Sequence, residues 1–516
     1  MKNYLRGFES ARRWVAIGLM LIVSYPGLNF TDNGSGICLA DPILTGSLEG
    51  EWDPSEGTYL LYGEVYVEMG NTLVINPGVQ VKFADDIDFS IYGTLTANGT
   101  EEDSIRFTSS QVFPIIGDWG RIKFLGTTSS NSILQYCIVE WAVQGIRLES
   151  SSPSIVHCSI RNNAEQGIYA LNTFMTLDSS AISNNGLSTL SGSGMVIVGG
   201  APHLRGNEIS CNGHDGIVCS GISGGEISGN NIHNNSEVGL NLDEDCNSVE
   251  IFGNYLSYNG VHGMYIYQCG TAGNPLDIHH NVIFRNEYNA IYSYTSYPKI
   301  YNNTLTNNLR DGIFCYSGSV VLYSNIIDNN EERGIYIQNA SATINYNDVW
   351  NNYEDYKDCN PGASDISADP LYEYAGEDNY QISEGSPCID AGNPSSLYYD
   401  PDNTRTDIGA LYYNQLSVGP QEPRLIPVNS IVLSNYPNPF NSETIIKIEF
   451  SALTGEVNSL DIYNSIGRLV RTLDITNSSI SEITWDGKDN RGFDLSTGVY
   501  YASTEGSNIV RMILLR

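Results

Sequence analysis

Asn207–Cys219 reads NEISCNGHDGIVC, Asn230–Leu242 reads NNIHNNSEVGLNL and Asn254–Ile266 reads NYLSYNGVHGMYI. The shared pattern is N-x-I-x-x-N, a short turn, then G-I-x-x. It recurs at Asn281, Asn303 and Asn325 and begins once more at Asn347, with degenerate copies starting at Tyr136, Cys158 and Ser180. Successive starts are separated by 22, 22, 27, 23, 24, 27, 22, 22 and 22 residues. A beat near 22 residues, with period-two alternation and no helical period, marks a solenoid of short strands. A leucine-rich repeat of similar length requires L-x-x-L-x-L, which is absent.

Each repeat holds three short strands, exemplified by Lys299–Tyr301, Thr304–Thr306 and Ile313–Cys315. Winding them as one coil of a parallel β-helix turns one residue of every second strand inward: Ile209, Ile232, Leu256, Ile283, Leu305, Ile327 and Val349. Coils then stack about 4.8 Å apart, the spacing of paired strands. Asn at the corners before and after this strand is expected to form amide ladders from coil to coil and to accept the left-handed corner conformation. Gly before the third strand is expected to serve a second left-handed corner.

Working outward, 25 Lys+Arg stand against 59 Asp+Glu, a formal net charge of −34. Such a chain repels phosphate backbones, which excludes non-specific nucleic-acid binding as its main role. Lys2, Arg6, Arg12 and Arg13 precede the apolar run Trp14–Val23. That run is too short to span a bilayer and has the layout of a secretory signal. Residues 1–40 are therefore read as a signal peptide cleaved after Ala40. The mature chain has no membrane span and is expected outside the cell or on the outer-membrane surface.

Thr72–Phe83 (TLVINPGVQVKF) and Ile91–Thr108 (IYGTLTANGTEEDSIRFT) alternate in the same manner, and the far end carries Ala368-Asp369-Pro370-Leu371, SPCIDAG at Ser386–Gly392 and Asp407-Ile408-Gly409-Ala410. On these motifs, residues 41–413 resemble right-handed parallel β-helix proteins of the pectate-lyase-like superfamily. The resemblance implies the fold. It leaves the activity open among lyases, hydrolases, epimerases and binding proteins.

Residues 414–429 contain Pro420, Pro423 and Pro427 and read as a linker. Beyond it come LSNYPNPFN at Leu433–Asn441, NSIGRLVRTL at Asn464–Leu473, Trp485-Asp486-Gly487, Gly498–Tyr501 and the ending RMILLR. Short strands with frequent turn signals argue a small β-sandwich. The motif order in residues 430–516 resembles the type A sorting domain of the type IX secretion system, itself similar to an Ig-like module of hook-capping proteins. The resemblance implies that the type IX machinery is a partner. The expected fold is thus all-β, a right-handed parallel β-helix followed by an Ig-like sandwich.

Two residues after the glycine before each third strand, or after Ala290 in its place, consecutive coils carry Tyr265, Tyr292, Phe314 and Tyr336. Two residues further on stand Tyr267, Tyr294 and Tyr316. Alternation places all seven on one outward face. Aromatic rings offer apolar faces for sugar stacking, and Tyr adds a hydroxyl. The expected ligand is a polysaccharide or surface glycan; the competing role for the strip is simple cross-strand stabilisation. The run Asp243-Glu244-Asp245 supplies hard oxygen donors, so Asp243 and Asp245 are candidate Ca²⁺ ligands, although no cofactor is required. His262, Arg310, Asp311, Glu332 and Arg333 sit at the corners beside the strip. No lyase or hydrolase signature matches position by position. The rival roles are a Ca²⁺-dependent polysaccharide lyase, ahead of a glycoside hydrolase, and a structural or adhesive surface protein.

Other motifs read as structure. Asp400, Asp402 and Thr404 suit a turn, and His279-His280 reads as one inward and one outward residue. Cys219 and Cys315 fall at inward positions as core thiols. Cys246 with Cys269, and Cys359 with Cys388, are candidate disulfide pairs.

Overall fold

A computed structural model of the chain describes residues 42–84, 86–187, 192–415, 431–436, 440, 442–450, 459–464, 469–474, 482–495, 498–503 and 510–514. The signal-peptide reading and most of the linker lie outside the described residues. Two compact units emerge, residues 1–413 and 414–516.

The first unit is a parallel β-solenoid of about 14 turns. The coil strands pair in parallel with their counterparts one coil on, as in Met264↔Ile291↔Ile313↔Ile335 along the third strands. The second strands keep Ile209↔Ile232 and Leu256↔Ile283↔Leu305↔Ile327↔Val349 in line, all fully buried. Alternation at the strands and a stack of aliphatic rungs inside leave no room for a channel. Cys219 and Cys315 belong to this core.

Two asparagine ladders run along the corners that flank the second strand. In one, the backbone N–H of Asn207 donates to Asn230 Oδ1 at 3.0 Å, Asn230 to Asn254 at 3.0 Å and Asn254 to Asn281 at 3.0 Å. The series continues through Asn303, Asn325 and Asn347. In the other, Asn163, Asn185, Asn212, Asn235, Asn259, Asn286, Asn308, Asn330 and Asn352 follow the same rule. Each amide Nδ2 also donates to the next Asn Oδ1 and to a main-chain carbonyl, as Asn259 does to Asn286 Oδ1 at 3.0 Å and Ile232 O at 3.1 Å. The ladders are polar, and each ends on a carboxylate, which only accepts: Asp365 Oδ1 takes the Asn347 N–H at 2.8 Å, and Asp355 Oδ1 takes the Asn352 N–H at 3.2 Å.

Two corner expectations are corrected. The left-handed conformation belongs to the residue before each ladder Asn, such as Asn162, Asn184, Asn234, Tyr258 and Arg285, and not to the ladder Asn. A ladder Asn needs its side chain aimed along the stack, so the backbone reversal falls one residue earlier. The glycine before the third strand is required by space rather than by left-handed backbone. A Cβ on Gly216 would meet Gly239 O at 2.6 Å and Ile232 Cγ2 at 2.7 Å. His279-His280 is also corrected: Ile278 takes the inward position, His279 faces out, and His280 occupies an exposed left-handed corner.

After the last coils, residues 366–413 fold back over the outside of the second-strand sheet. Tyr380 and Ala410 cover Val282 and Phe284, while Ile382, Cys388 and Ile408 cover Ile326. Polar stitches include Tyr372 Oη to Asp328 Oδ1 at 2.8 Å, the Ala368 N–H to Asp348 Oδ1 at 3.0 Å and the Ala410 N–H to Thr304 Oγ1 at 3.0 Å. Asp402 Oδ1 accepts from the Thr404 N–H at 3.1 Å, and Asp400 Oδ2 from the Asp407 N–H at 2.8 Å, so this run is a turn.

All nine described cysteines are free thiols, which corrects both expected pairings. Cys246 and Cys269 interact with each other as thiols, and S–H contacts also run from Cys246 to Cys219 O at 3.4 Å, Cys269 to Tyr267 O at 3.1 Å, Cys359 to Ile335 O at 3.7 Å and Cys388 to Asp348 Oδ2 at 3.2 Å.

The second unit is an antiparallel sandwich. Ile431–Tyr436, Thr444–Phe450 and Glu482–Trp485 form one sheet, and Leu469–Asp474, Ser459–Asn464, Gly498–Ser503 and Val510–Leu514 the other. Its core holds Phe440, Ile446, Leu460, Ile462, Trp485, Tyr500 and Met512. Among the described residues no helix is long and apolar enough to cross a membrane.

Two expectations follow from this packing. Asn259→Asp removes two donated hydrogen bonds and sets a carboxylate against two acceptors, so it should destabilise the solenoid by roughly 3 kcal/mol in urea unfolding at neutral pH. Burial pushes Asp328 and Asp400 up to about 7 and Asp348 and Asp407 up to about 6. Nearby cations are engaged elsewhere, Arg285 by Asp378 at 2.8 Å and Arg405 by the carbonyls of Ala391 and Gly392. With folded values above an unfolded value of about 3.9, the folded state binds more protons. Stability from these groups is then full below pH ~4 and is lost as pH rises through 6 to 7. Hydrogen exchange of peptides within 366–413, corrected for intrinsic rate, should show protection falling from pH 5 to pH 8 while the ladder coils stay unchanged.

Candidate functional site

The outward face of the third strands carries the seven aromatic residues in two columns. Register places Tyr265↔Tyr292↔Phe314↔Tyr336 in one and Tyr267↔Tyr294↔Tyr316 in the other. Ile266, Ser293, Cys315 and Ile337 point inward between them and are buried, while all seven aromatic side chains are half-buried. The outward placement inferred from alternation therefore matches the geometry.

Ring orientation changes what the strip offers. Tyr292 and Phe314 stack at 5.0 Å and 5°, Phe314 and Tyr336 at 4.5 Å and 7°, Tyr267 and Tyr294 at 5.4 Å and 21°, and Tyr294 and Tyr316 at 5.2 Å and 13°. Tyr265 is tilted by 54° from Tyr292. Rings stacked along the coil axis use their faces on one another and turn their edges and hydroxyls outward. Burial, followed by the neighbouring Tyr292, pushes Tyr265 up to about 12, and burial raises Tyr292, so both hydroxyls remain donors at neutral pH.

The corners beside the strip are charged but internally compensated. Arg310 Nε meets Glu332 Oε1 at 2.9 Å, and Arg333 Nε meets Asp311 Oδ1 at 2.8 Å and also pairs with Glu332. Arg333 lies 4.4 Å over the Tyr336 ring. Burial pushes Asp311 up to about 6, against the pull of Arg333. His262, packed at 6.0 Å on Tyr265 and edge-on to Tyr292 at 5.2 Å, is pushed down to about 4 by burial and by Arg310. It is therefore neutral here, and its Nδ1 accepts the Asn289 N–H at 3.3 Å.

Asp243 lies in the second column directly below Tyr267. Asp245 is exposed in a left-handed turn with Glu244. Among the described residues no three His, Cys, Asp or Glu side chains converge on a metal position. Ca²⁺ takes roughly six to eight oxygens, and at this solvent-facing turn Asp243 and Asp245 supply two carboxylates beside Glu244.

Below the strip the face continues through Asn241, Val218, Val196 and Tyr169 to Arg147, Lys123 and Ser90. At that end is a cleft of about 560 Å³ whose lining includes Glu64, Tyr66, Asp86, Asp88 and Arg121. Sequence reading missed it. The available signal was the corner before Phe89 and Ile122, where Asp88 and Arg121 replace the glycine of later coils.

Residues 144–298 and 278–366 match the family model described as right handed beta helix region, and residues 50–143 match that of the pectate-lyase like beta helix domain. Residues 436–508 match the FlgD Ig-like domain. The periplasmic alginate epimerase AlgG is 12% identical with TM-score 0.38, over 60% of this chain and 75% of that chain. Pectate lyase Pel9A is 14% identical with TM-score 0.35, over 66% and 89%. Dimeric latent PorU from Porphyromonas gingivalis is 25% identical with TM-score 0.14, and the match takes in 16% of this chain and 9% of that one. No curated protein matches the sequence. Residues 144–366 thus form a right-handed β-helix, the coils before them match the pectate-lyase like domain, and residues 436–508 form an FlgD Ig-like domain.

Chelation of divalent cations should leave the thermal midpoint of the full chain unchanged. A rise on adding Ca²⁺ that Asp243→Asn abolishes would show ligands the geometry does not bring together.

Proposed function

We propose that this is an exported protein that holds an extended polysaccharide along its third-strand face. The observation that carries the reading is the in-register array of Tyr265, Tyr267, Tyr292, Tyr294, Phe314, Tyr316 and Tyr336 over four successive coils. Its centroid steps of 4.5 to 5.4 Å follow the coil rise and present a repeating edge of hydroxyls. A rise of about 4.8 Å is comparable with the advance of one sugar unit in an extended chain, so successive units meet equivalent groups. Recognition here is by hydroxyl hydrogen bonds and ring edges. The ring faces are already occupied, and removing rings also removes cross-strand packing worth roughly 0.5–1.5 kcal/mol per pair.

Export is part of the same reading. The amino-terminal run supplies the first address. The sandwich of residues 430–516, with its sorting-type motif order and FlgD Ig-like match, supplies the second, addressed to the type IX machinery. Secretion or attachment at the outer-membrane surface follows.

A glycan array probed with the full chain tests the proposal. Tyr292→Phe with Tyr294→Phe and Tyr316→Phe should weaken retained glycans about tenfold while melting is unchanged, since three hydroxyl bonds are lost and the ring stack stays. Tyr292→Ala with Phe314→Ala should abolish binding at the strip. Retention equal to the unmodified chain in both variants would remove the strip from the function.

A further inference from the structure

We infer that the cleft at the entry end of the same face is a second saccharide site, one that takes an uncharged sugar unit. The inference rests on the polysaccharide reading above but on different residues.

The cleft exists because the corner rule lapses there. In later coils the position before the third strand is glycine, or alanine at Ala290; a Cβ on Gly145 would meet Gly167 O at 2.5 Å and Ile160 Cγ2 at 2.7 Å. Phe89↔Ile122↔Ile146 puts Asp88 and Arg121 at that position in the entry coils. The Asn ladder on that corner begins only with the Ala142 N–H donating to Asn163 Oδ1 at 2.9 Å. Without the ladder the corner opens, and a concavity of about 560 Å³ forms there. Ligand pockets commonly occupy about 300–1,000 Å³.

Its lining suits a hydroxyl-rich, uncharged ligand. Tyr66 and Ser90 are register partners on the outward floor, and exposed Tyr92 stands at the rim. Asp88 is held between Arg121 at 3.3 Å and Lys123 at 2.7 Å, and Arg121 Nη1 reaches Gln144 Oε1 at 3.0 Å. This compensated set offers planar donors and acceptors for adjacent hydroxyls. Both cations are already engaged, and exposed Glu64 and Asp86 stand in the lining, on a chain of net charge −34. A uronate carboxylate entering the cleft would meet repulsion from each of these. Tyr92 and Tyr66 supply the apolar contact a sugar ring requires.

The cleft lies seven coil steps from Tyr265, on the order of 34 Å at the strand spacing. Two sites on one face make a polymer long enough to reach both bind more tightly than either site alone, through effective concentration.

The test uses the full chain, neutral gluco-, manno-, xylo- and galacto-oligosaccharides of two and twelve units, and oligogalacturonate of equal lengths. Binding is followed by calorimetry and located by hydrogen exchange. The expected result is that at least one neutral disaccharide protects the peptide spanning 86–92, and that Ser90→Trp, which fills the cleft, or Tyr92→Ala reduces its affinity at least tenfold. With Tyr292→Ala and Phe314→Ala that disaccharide should protect the 86–92 peptide as in the unmodified chain. The matching twelve-unit oligomer should lose affinity in either set of variants. Protection confined to the strip, unchanged disaccharide affinity in both cleft variants, or preference for the uronate series would overturn the inference and leave the strip reading standing. Strip variants without effect on long oligomers would instead remove the strip reading. No protection by any saccharide in any region would remove both.

Discussion

From Asn163 onward the solenoid depends on the side chain of asparagine being able to copy a peptide group. At each corner flanking the second strand, an Asn Oδ1 accepts a backbone N–H from the coil before it, and its Nδ2 donates to the next Asn Oδ1 and to a carbonyl. Corners are where strand pairing stops, so their polar groups would otherwise be buried without partners. The ladders carry pairing through the corner, and each bond adds about 1 kcal/mol net while sparing a larger desolvation cost. Repetition makes the contribution large and fixes the direction of growth. Asp355 and Asp365 close the ladders at the end where only an acceptor is needed.

That constraint sets the other features. With a ladder in place, the residue before the third strand sits against the next coil and must be glycine, or alanine as at the fully buried Ala290. The backbone reversal moves to the residue before each Asn, where even Tyr258 and Arg285 adopt left-handed conformations. Each such residue costs roughly 1–2 kcal/mol, which the ladder bonds and the buried rungs offset. Where the ladder is missing, the corner relaxes and the face gains the cleft beside Asp88 and Arg121. One hydrogen-bonding device therefore decides where the corner closes and where it opens.

The two outer sheets that adjoin the ladder corners have opposite fates. The second-strand face of the last coils, from Val282 to Asp348, is covered by residues 366–413, with apolar contacts from Tyr380, Ile382 and Ile408 and with buried carboxylates at Asp328 and Asp348. The third-strand face stays open and bears the tyrosine columns. Covering one face and leaving the other is how a solenoid with uniform rungs acquires a single working side. The charges around that side are compensated pairs, Arg310 with Glu332 and Arg333 with Asp311, consistent with a ligand recognised by hydroxyls rather than by charge.

The coil length, the inward row from Ile209 to Val349, the columns containing Tyr292 and Phe314 and the existence of a terminal sandwich were determined by the sequence alone. Each is a local alternation or a fixed repeat, and steric periodicity writes such patterns directly into residue order. What the tertiary structure decided is everything that depends on neighbours a coil or more away. It turned the Tyr292 and Phe314 faces onto each other, because a stacked ring finds its best partner in the next coil at that spacing. It left Cys246 and Cys269 as thiols bonded to carbonyls. It also laid Tyr372 over Asp328, 44 residues apart in the chain. Contacts of that kind are settled by packing geometry between coils, and no local pattern of residues encodes them.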